Sequence, residues 1–184
     1  MPAFAETLSL LLPILAPGIL LIITLKSGWL PALVVPIDRG RTLGGAPLLG
    51  STKTWLGFTI YLGGAVLVSA VIAAAGVGSP VFSDWPGWFV GLLVGLGYNA
   101  GELANSFVKR RLGVGSSSLT PSRWRGLQHV VDLGDGILVV FLVYLALGVP
   151  LAVAAVAGIA GFGVHVLTDV LMRALRLKRR RPAG

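Results

Sequence analysis

Five runs of apolar residues, each about as long as a bilayer is thick, constrain this chain more than any other feature in it. Crossing the hydrocarbon core takes about twenty mostly apolar residues in helical form, because a helix satisfies its backbone N–H and C=O groups without water. Thr7 to Leu25, Trp55 to Ala75, Gly87 to Val108, Val130 to Val149 and Leu151 to Met172 reach that length. The expectation is an all-α, polytopic membrane protein with five transmembrane helices, its 184 residues forming one transmembrane domain. With only 12% charged residues and a mean hydropathy of +0.87, an ordinary water-soluble domain is excluded. The first run carries Pro13 and Pro17, which a membrane helix tolerates as a bend, with Gly18 beside them suited to a close contact. It lacks a basic leading segment and a small-residue cleavage site, so it reads as a retained helix. Between the last two runs only Gly148-Val-Pro150 is available, which demands a very tight turn.

Charge placement orients these spans. Residues 26 to 53 carry four Lys and Arg, residues 109 to 125 carry five, and the tail from Arg173 to Arg181 carries six, which together are all fifteen in the chain. The opposite side holds only Glu6 and Asp84 as charges, so the positive-inside rule makes the basic side cytoplasmic, with the N-terminus outside and the C-terminus inside. Trp85 and Trp88 fit an interfacial aromatic belt on the outer side. The net charge of +8 does not point to nucleic acid, because the basic residues flank hydrophobic spans and are not interleaved with aromatics on a soluble face. They suit a membrane surface, and the Lys178 to Arg181 run suits anionic headgroups. No cysteine is present, which removes disulfides and thiolate metal sites.

Chemistry is therefore expected at the cytoplasmic connections, near residues 26–54 and 109–128, and at the helix ends beside them. In the third run Asn99, Glu102, Asn105 or Ser106, and Lys109 recur every three or four residues and share one helical stripe. At about 1.5 Å rise per residue Glu102 lies roughly 10 Å below Lys109, a depth at which a carboxylate needs a partner. Asp132 and Asp135 share a face of the fourth run, with Gly134 and Gly136 leaving room beside them; two close carboxylates repel unless a positive charge lies between, and hard oxygen ligands of this kind suit Mg²⁺. A capping role for Asp132 is the alternative. His165 and Asp169 share a face of the fifth run, His165 as a candidate core hydrogen-bonding residue and Asp169 as a possible partner of Arg173 or a fourth acid at the same site. The first connection, Asp38 to Trp55, combines glycines, hydroxyls including Thr52, and the cations Arg39, Arg41 and Lys53, a composition suited to polyphosphate, though it lacks the order of a P-loop. The middle connection adds Ser116, Ser117 and Ser118. The sum is a membrane-embedded acidic site beneath basic loops, suited to a phosphorylated lipid and a nucleotide bridged by Mg²⁺.

The pattern Ser106-x-x-Lys109-Arg110 followed by Asp132-x-x-Asp135 resembles the signature of the phosphatidate cytidylyltransferases. Gly50-Ser-Thr-Lys53-Thr-Trp55-x-Gly57-Phe58 and Val131-Asp132-x-Gly134-Asp135-Gly136 are more similar still to the archaeal branch of that family, over the first connection through the fourth span. The resemblance implies a single catalytic domain, the nucleotide CTP, an isoprenoid glycerol phosphate lipid as acceptor, and Mg²⁺. It implies Ser106, Lys109, Arg110 and Arg111 at the nucleotide phosphates with Asn105, Thr52 and Lys53, and Asp132 and Asp135 at the metal. The broader signature has a Lys-Asp pair where Gly113-Val-Gly115-Ser116 stands here, so Glu102 or Asp169 is the candidate for the missing carboxylate. Two rivals remain. Asp132-x-x-Asp135-Gly136 also opens the motif of CDP-alcohol phosphotransferases, but Ile137 to Leu147 is apolar where their later acids are expected. A small ion or lipid transporter would also keep intramembrane acids, though nearer the midplane and both faces.

Overall fold

The computed structural model describes residues 4–115 and 125–174, without the side chains of 125–127, 168, 169 and 171–174. Helix α1 spans Phe4–Ser27, α2 Trp55–Ala75, the short α3 Val81–Asp84, α4 Gly87–Arg111, α5 Arg125–Ala146 and α6 Leu151–Ala174. Between α1 and α2 lie a 3₁₀ turn at Pro31–Leu33 and a small hairpin of β1, Thr42–Leu43, and β2, Ala46–Pro47. The structure is all-helical apart from this antiparallel pair, in which Thr42 faces Pro47 and Leu43 faces Ala46. By length and composition, α1, α2 and the Gln128–Ala146 part of α5 can cross a membrane; α6 contributes a shorter apolar stretch, Leu151–Leu167.

Helix α4 is long enough to span but less apolar, because it trades leucines for glycine and polar residues, and that trade builds the bundle. Its small residues form two stripes. Gly87, Gly91 and Gly95 face α2, and a Cβ on Gly95 would stand 2.9 Å from the Leu62 Cα. Gly97 and Gly101 face α5, where a Cβ on Gly101 would overlap the Asp135 carbonyl oxygen and lie 2.9 Å from the Gly136 Cα. Between apolar helices in lipid, close backbone approach of this kind is the main source of association. Gly136 answers from α5: a Cβ there would stand 2.7 Å from the Tyr98 ring.

The remaining helices close around α4. Pro13 and Pro17 are both buried inside a continuous α1, and the Pro17 ring occupies the space that a side chain on Gly64 of α2 would need. Tyr61 of α2 fills the place beside Gly18, the close contact expected there. The turn at Gly148 is as tight as its three residues require: Gly148 has φ of 89°, and Val149 N–H reaches back 2.9 Å to the Tyr144 carbonyl. The apolar core, including Leu10, Ile14, Ala65, Val90, Val94, Val140 and Tyr144, fills the half of the bundle away from the Lys109 end of α4. Within it the Tyr144 hydroxyl donates to the Leu10 carbonyl at 2.7 Å. Polar chemistry is left to the other half.

Gly101→Val should separate α4 from α5, lowering stability in detergent by about 1–3 kcal/mol. Gly63→Ala, at a position with nothing within 4 Å of the added carbon, should not. Thermal unfolding of both variants measures the difference.

Candidate active site

One turn beyond Gly101 on α4 comes Asn105, and one turn beyond that Lys109; the close approach of α4 to α5 brings both against the acids of α5. The Asn105 amide nitrogen donates to Asp132 Oδ1 at 2.8 Å and to Asp135 Oδ2 at 2.7 Å, so one NH₂ group bridges the two carboxylates. Lys109 Nζ lies 2.8 Å from the same Asp132 oxygen. The second Asp135 oxygen accepts from Gly136 N–H at 2.6 Å. Both aspartates are partly buried, and each needs these donors to offset lost hydration.

Capping was the alternative role for Asp132. Helix α5 already runs from Arg125, so Asp132 lies past the positions where a side chain can cap free N–H groups. Both carboxylates are thereby turned to side-chain partners on α4.

Nearly one turn before Asn105 on α4, Lys53 Nζ pairs with Glu102 Oε2 at 2.6 Å. These two groups, with Thr52, Thr54, Asn99 and Tyr61, line a cavity of about 220 Å³ between α1, α2, α4 and the first connection. Tyr61 stacks on Tyr98 with ring centres 4.2 Å apart, and Tyr98 meets His165 edge-on at 6.2 Å, an aromatic layer beneath the polar half. His165 Nδ1 is 3.1 Å from the Leu133 carbonyl, the core hydrogen-bonding role weighed for it.

The first connection is held by a carboxylate that sequence inspection passed over. Asp38 is buried and accepts from Gly40 N–H at 3.0 Å, Leu49 N–H at 2.8 Å and Gly50 N–H at 2.9 Å. Burial pushes its pKa up, but the Gly50, Leu49 and Gly40 donors together outweigh that and hold the carboxyl below its ordinary 3.8. The available signal was Asp38-Arg39-Gly40, an Asx turn whose next residues take positive φ: 50° at Arg39 and 77° at Gly40. Ile37 N–H donates to the Lys53 carbonyl at 2.9 Å and Trp55 N–H to the Val35 carbonyl at 3.0 Å, so the ends of the loop pair and Lys53 is anchored by its backbone.

No family model matches the chain. Curated relatives do. It is 38% identical over 148 residues to the CDP-archaeol synthase of Halobacterium salinarum, an alignment covering 77% of this chain and 74% of the relative. The CDP-archaeol synthase of Methanopyrus kandleri is 35% identical over 147 residues, covering 78% and 77%. That of Hyperthermus butylicus is 31% identical over 150 residues, covering 78% and 79%. This chain belongs to the CDP-archaeol synthase family. A solved structure described as an intramembrane enzyme for archaeal membrane lipid biosynthesis superposes with a TM-score of 0.57 at 27% identity, over 86% of this chain and 92% of that one. With the apolar helices, this makes the protein a multi-pass membrane protein.

Within this family member the residues singled out from sequence fall into distinct places. Asn105, Lys109, Asp132 and Asp135 come together directly. Glu102 and Lys53 form their own pair, and among the described residues no three acidic or histidine side chains gather as a metal-ligand group. The side chain of Asp169, the other candidate fourth acid, lies outside the described residues, as do Ser116, Ser117 and Ser118. Ser106 is buried, and no described hydrogen bond joins it to either aspartate. Arg110 is buried and donates to the Val114 carbonyl, while its Nε has no hydrogen-bond partner among the described residues. Arg111 turns to the hairpin, donating to the Leu43, Ala46 and Pro47 carbonyls, and so fastens the first connection to the end of α4.

Asp38→Ala should strand the Leu49 and Gly50 N–H donors at about 1–3 kcal/mol each and speed hydrogen exchange at both amides. Because folding lowers the Asp38 pKa, its stabilisation is complete above 3.8 and is lost as pH falls through the folded value. Wild-type exchange at these amides, corrected for its intrinsic rate, should therefore accelerate only in that acid range.

Proposed function

We propose that this protein transfers CMP from CTP to 2,3-bis-O-(geranylgeranyl)-sn-glycerol 1-phosphate, forming the CDP-lipid and releasing pyrophosphate. The observation that carries this reading is the joining of Asp132 and Asp135 to Asn105 and Lys109 in a member of the CDP-archaeol synthase family. An oxygen of the lipid phosphate attacks the α-phosphorus of CTP, the new P–O bond forms, and the bond to the β-phosphate bridging oxygen breaks with its electron pair leaving on pyrophosphate. The nucleophile is already ionised near neutral pH, so alignment and charge neutralisation matter more than a side-chain base.

Mg²⁺ is the proposed cofactor, and the donor set fits it. Two hard carboxylate groups lie within two hydrogen-bond lengths of each other, and Mg²⁺ commonly takes one or two carboxylates with substrate phosphates completing its shell. In the directly bonded set, two carboxylates against one ammonium leave an excess of negative charge for a cation to offset. Asp132 and Asp135 would hold the ion; when bound, it supplies charge neutralisation and orientation of the phosphates. Asn105 keeps the two carboxylates in register. Lys109 is placed to turn from Asp132 toward a phosphate oxygen. Arg110 brings a buried Nε that has no partner among the described residues, a donor that a phosphate oxygen would satisfy. Lys53 and Thr52 border the same region from the first connection. Arg111 fastens the hairpin beside this region, which supports a role in holding the first connection at the end of α4.

The proposed setting is a single catalytic domain with five spans, N-terminus outside and C-terminus inside, and the site facing the cytoplasm at the cell membrane. What supports it is the placement of every Lys and Arg on one side of the spans and the polar site at that same end of α4 and α5.

Purified protein given CTP, Mg²⁺ and the unsaturated archaeal ether phosphate should form the CDP-lipid. Asp132→Asn or Asp135→Asn should lower the rate at least about a hundredfold, the usual scale for losing a group that stabilises developing charge. Absence of product, or undiminished turnover by Asp135→Asn, overturns the assignment.

A further inference from the structure

Between Lys26 and Asp38 the first connection carries no charged residue, and from Trp29 to Ile37 it is apolar throughout, reading Trp-Leu-Pro-Ala-Leu-Val-Val-Pro-Ile. That run is too short to cross a bilayer, which takes about twenty residues. Nor is it packed into the bundle. Trp29, Leu30, Val34 and Val35 are 66%, 52%, 48% and 41% exposed, a gathering of large apolar side chains that a water-facing loop rarely carries.

The backbone fixes the level at which this segment lies. At one end Trp29 N–H donates to the Thr24 carbonyl at 3.2 Å, holding the segment against the last turns of α1. At the other, Trp55 N–H donates to the Val35 carbonyl at 3.0 Å and Pro36 bridges to Thr54, which ties it to the start of α2. Both helices are apolar enough to cross the membrane, so their adjacent ends mark one face of the bilayer, and residues 29–35 lie at that face. The outward side of α1 continues into the segment: Ile19, Leu20, Ile23 and Leu25 are exposed on the helix, as Trp29 and Leu30 are beyond it.

Backbone chemistry limits the depth. The 3₁₀ turn pairs Leu33 N–H with the Leu30 carbonyl and Val34 N–H with the Pro31 carbonyl, and a single turn cannot satisfy a whole segment internally, as the hydrocarbon core demands. Headgroups and the water among them can. Exposed Lys26 and Arg39 bracket the apolar run at the level of lipid phosphates, and a tryptophan ring suits the same boundary.

We propose that residues 29–35 are an interfacial anchor lying in the leaflet in which α1 ends, with Trp29, Leu30, Val34 and Val35 inserted between headgroups and acyl chains. The partner is the lipid surface itself. The loop held by Asp38, with Lys53 at its end, is then fixed to the membrane as well as to α4. This anchoring does not depend on the reaction proposed above.

The chain has no cysteine, so one introduced thiol carries a nitroxide at a single site. In lipid nanodiscs, labels at Trp29→Cys and Val34→Cys should sit about 5–10 Å below the phosphates by power-saturation depth measurement. A label at Thr42→Cys, exposed on the hairpin, should stay open to aqueous nickel chelate, and one at Leu67→Cys, exposed midway along α2, should be reached by oxygen alone. Labels at positions 29 and 34 that are as open to chelate as the Thr42→Cys label overturn the anchor. So does a depth equal to that at Leu67→Cys, which puts the segment in the hydrocarbon, and so does shielding that vanishes when each nanodisc holds one copy, which makes a second copy the cover. Independently of any substitution, wild-type protein in vesicles containing a phospholipid with a diazirine at the acyl carbon nearest glycerol should be labelled within residues 29–35. Labelling of α1 and α2 that skips this segment overturns the anchor.

Discussion

Everything at the polar end depends on how closely α4 and α5 approach at Gly101. Glycine there allows the backbone of Asp135 and Gly136 to rest directly on α4. Helical periodicity then does the rest: Asn105 and Lys109 follow on the same face at one-turn intervals, and Asp132 precedes Asp135 by nearly a turn on the partner. A spacing wider by one methyl group would break both Asn105 hydrogen bonds together, since a single amide nitrogen serves both carboxylates. Packing in the membrane half and chemistry in the loop half are thus one constraint.

The electrostatics follow from that geometry. Two partly buried carboxylates cannot be left to repel each other in a poorly solvated region. Asn105 and Lys109 offset them in part, which leaves an excess of negative charge in the bonded set. Nearly a turn deeper on α4, Lys53 and Glu102 neutralise one another, and the loop that carries Lys53 is fixed twice, by Asp38 from within and by Arg111 from the end of α4. Long charged side chains in such a setting serve two ends. Lys109 pairs with Asp132 and Lys53 lines the cavity beside Glu102, while Arg111 donates to backbone carbonyls.

Much of this was legible in the chain itself, for reasons that differ by residue. The apolar runs that became α1, α2, α5 and α6 announce themselves by length, and the 3–4 spacing of Asn105 and Lys109 placed them on one face. Asp132 and Asp135 were legible as a pair on one face of the fourth span, and with α5 already running from Arg125 the capping alternative for Asp132 falls away. The role of Arg111 could not be read from composition: a guanidinium beside a glycine-rich loop looks the same whether it awaits phosphate or holds carbonyls. Asp38 was missed for the opposite reason. Its partners are backbone N–H groups of its own loop, and only the short Asp-Arg-Gly turn hints at them. Glu102 was correctly seen to need a partner, but Lys53, forty-nine residues away, is brought to it only by tertiary packing.

The central claim is that Asp132 and Asp135, held together by Asn105, form the seat for the metal that accompanies the nucleotide. The most direct measurement is anomalous scattering from Mn²⁺ substituted for Mg²⁺ in crystals grown with CTP. The account predicts a peak within coordinating distance of both carboxylates, with the Asn105 amide displaced from at least one of them. A peak at any site that excludes both aspartates, with Asn105 still bridging them in the nucleotide-bound state, would contradict it.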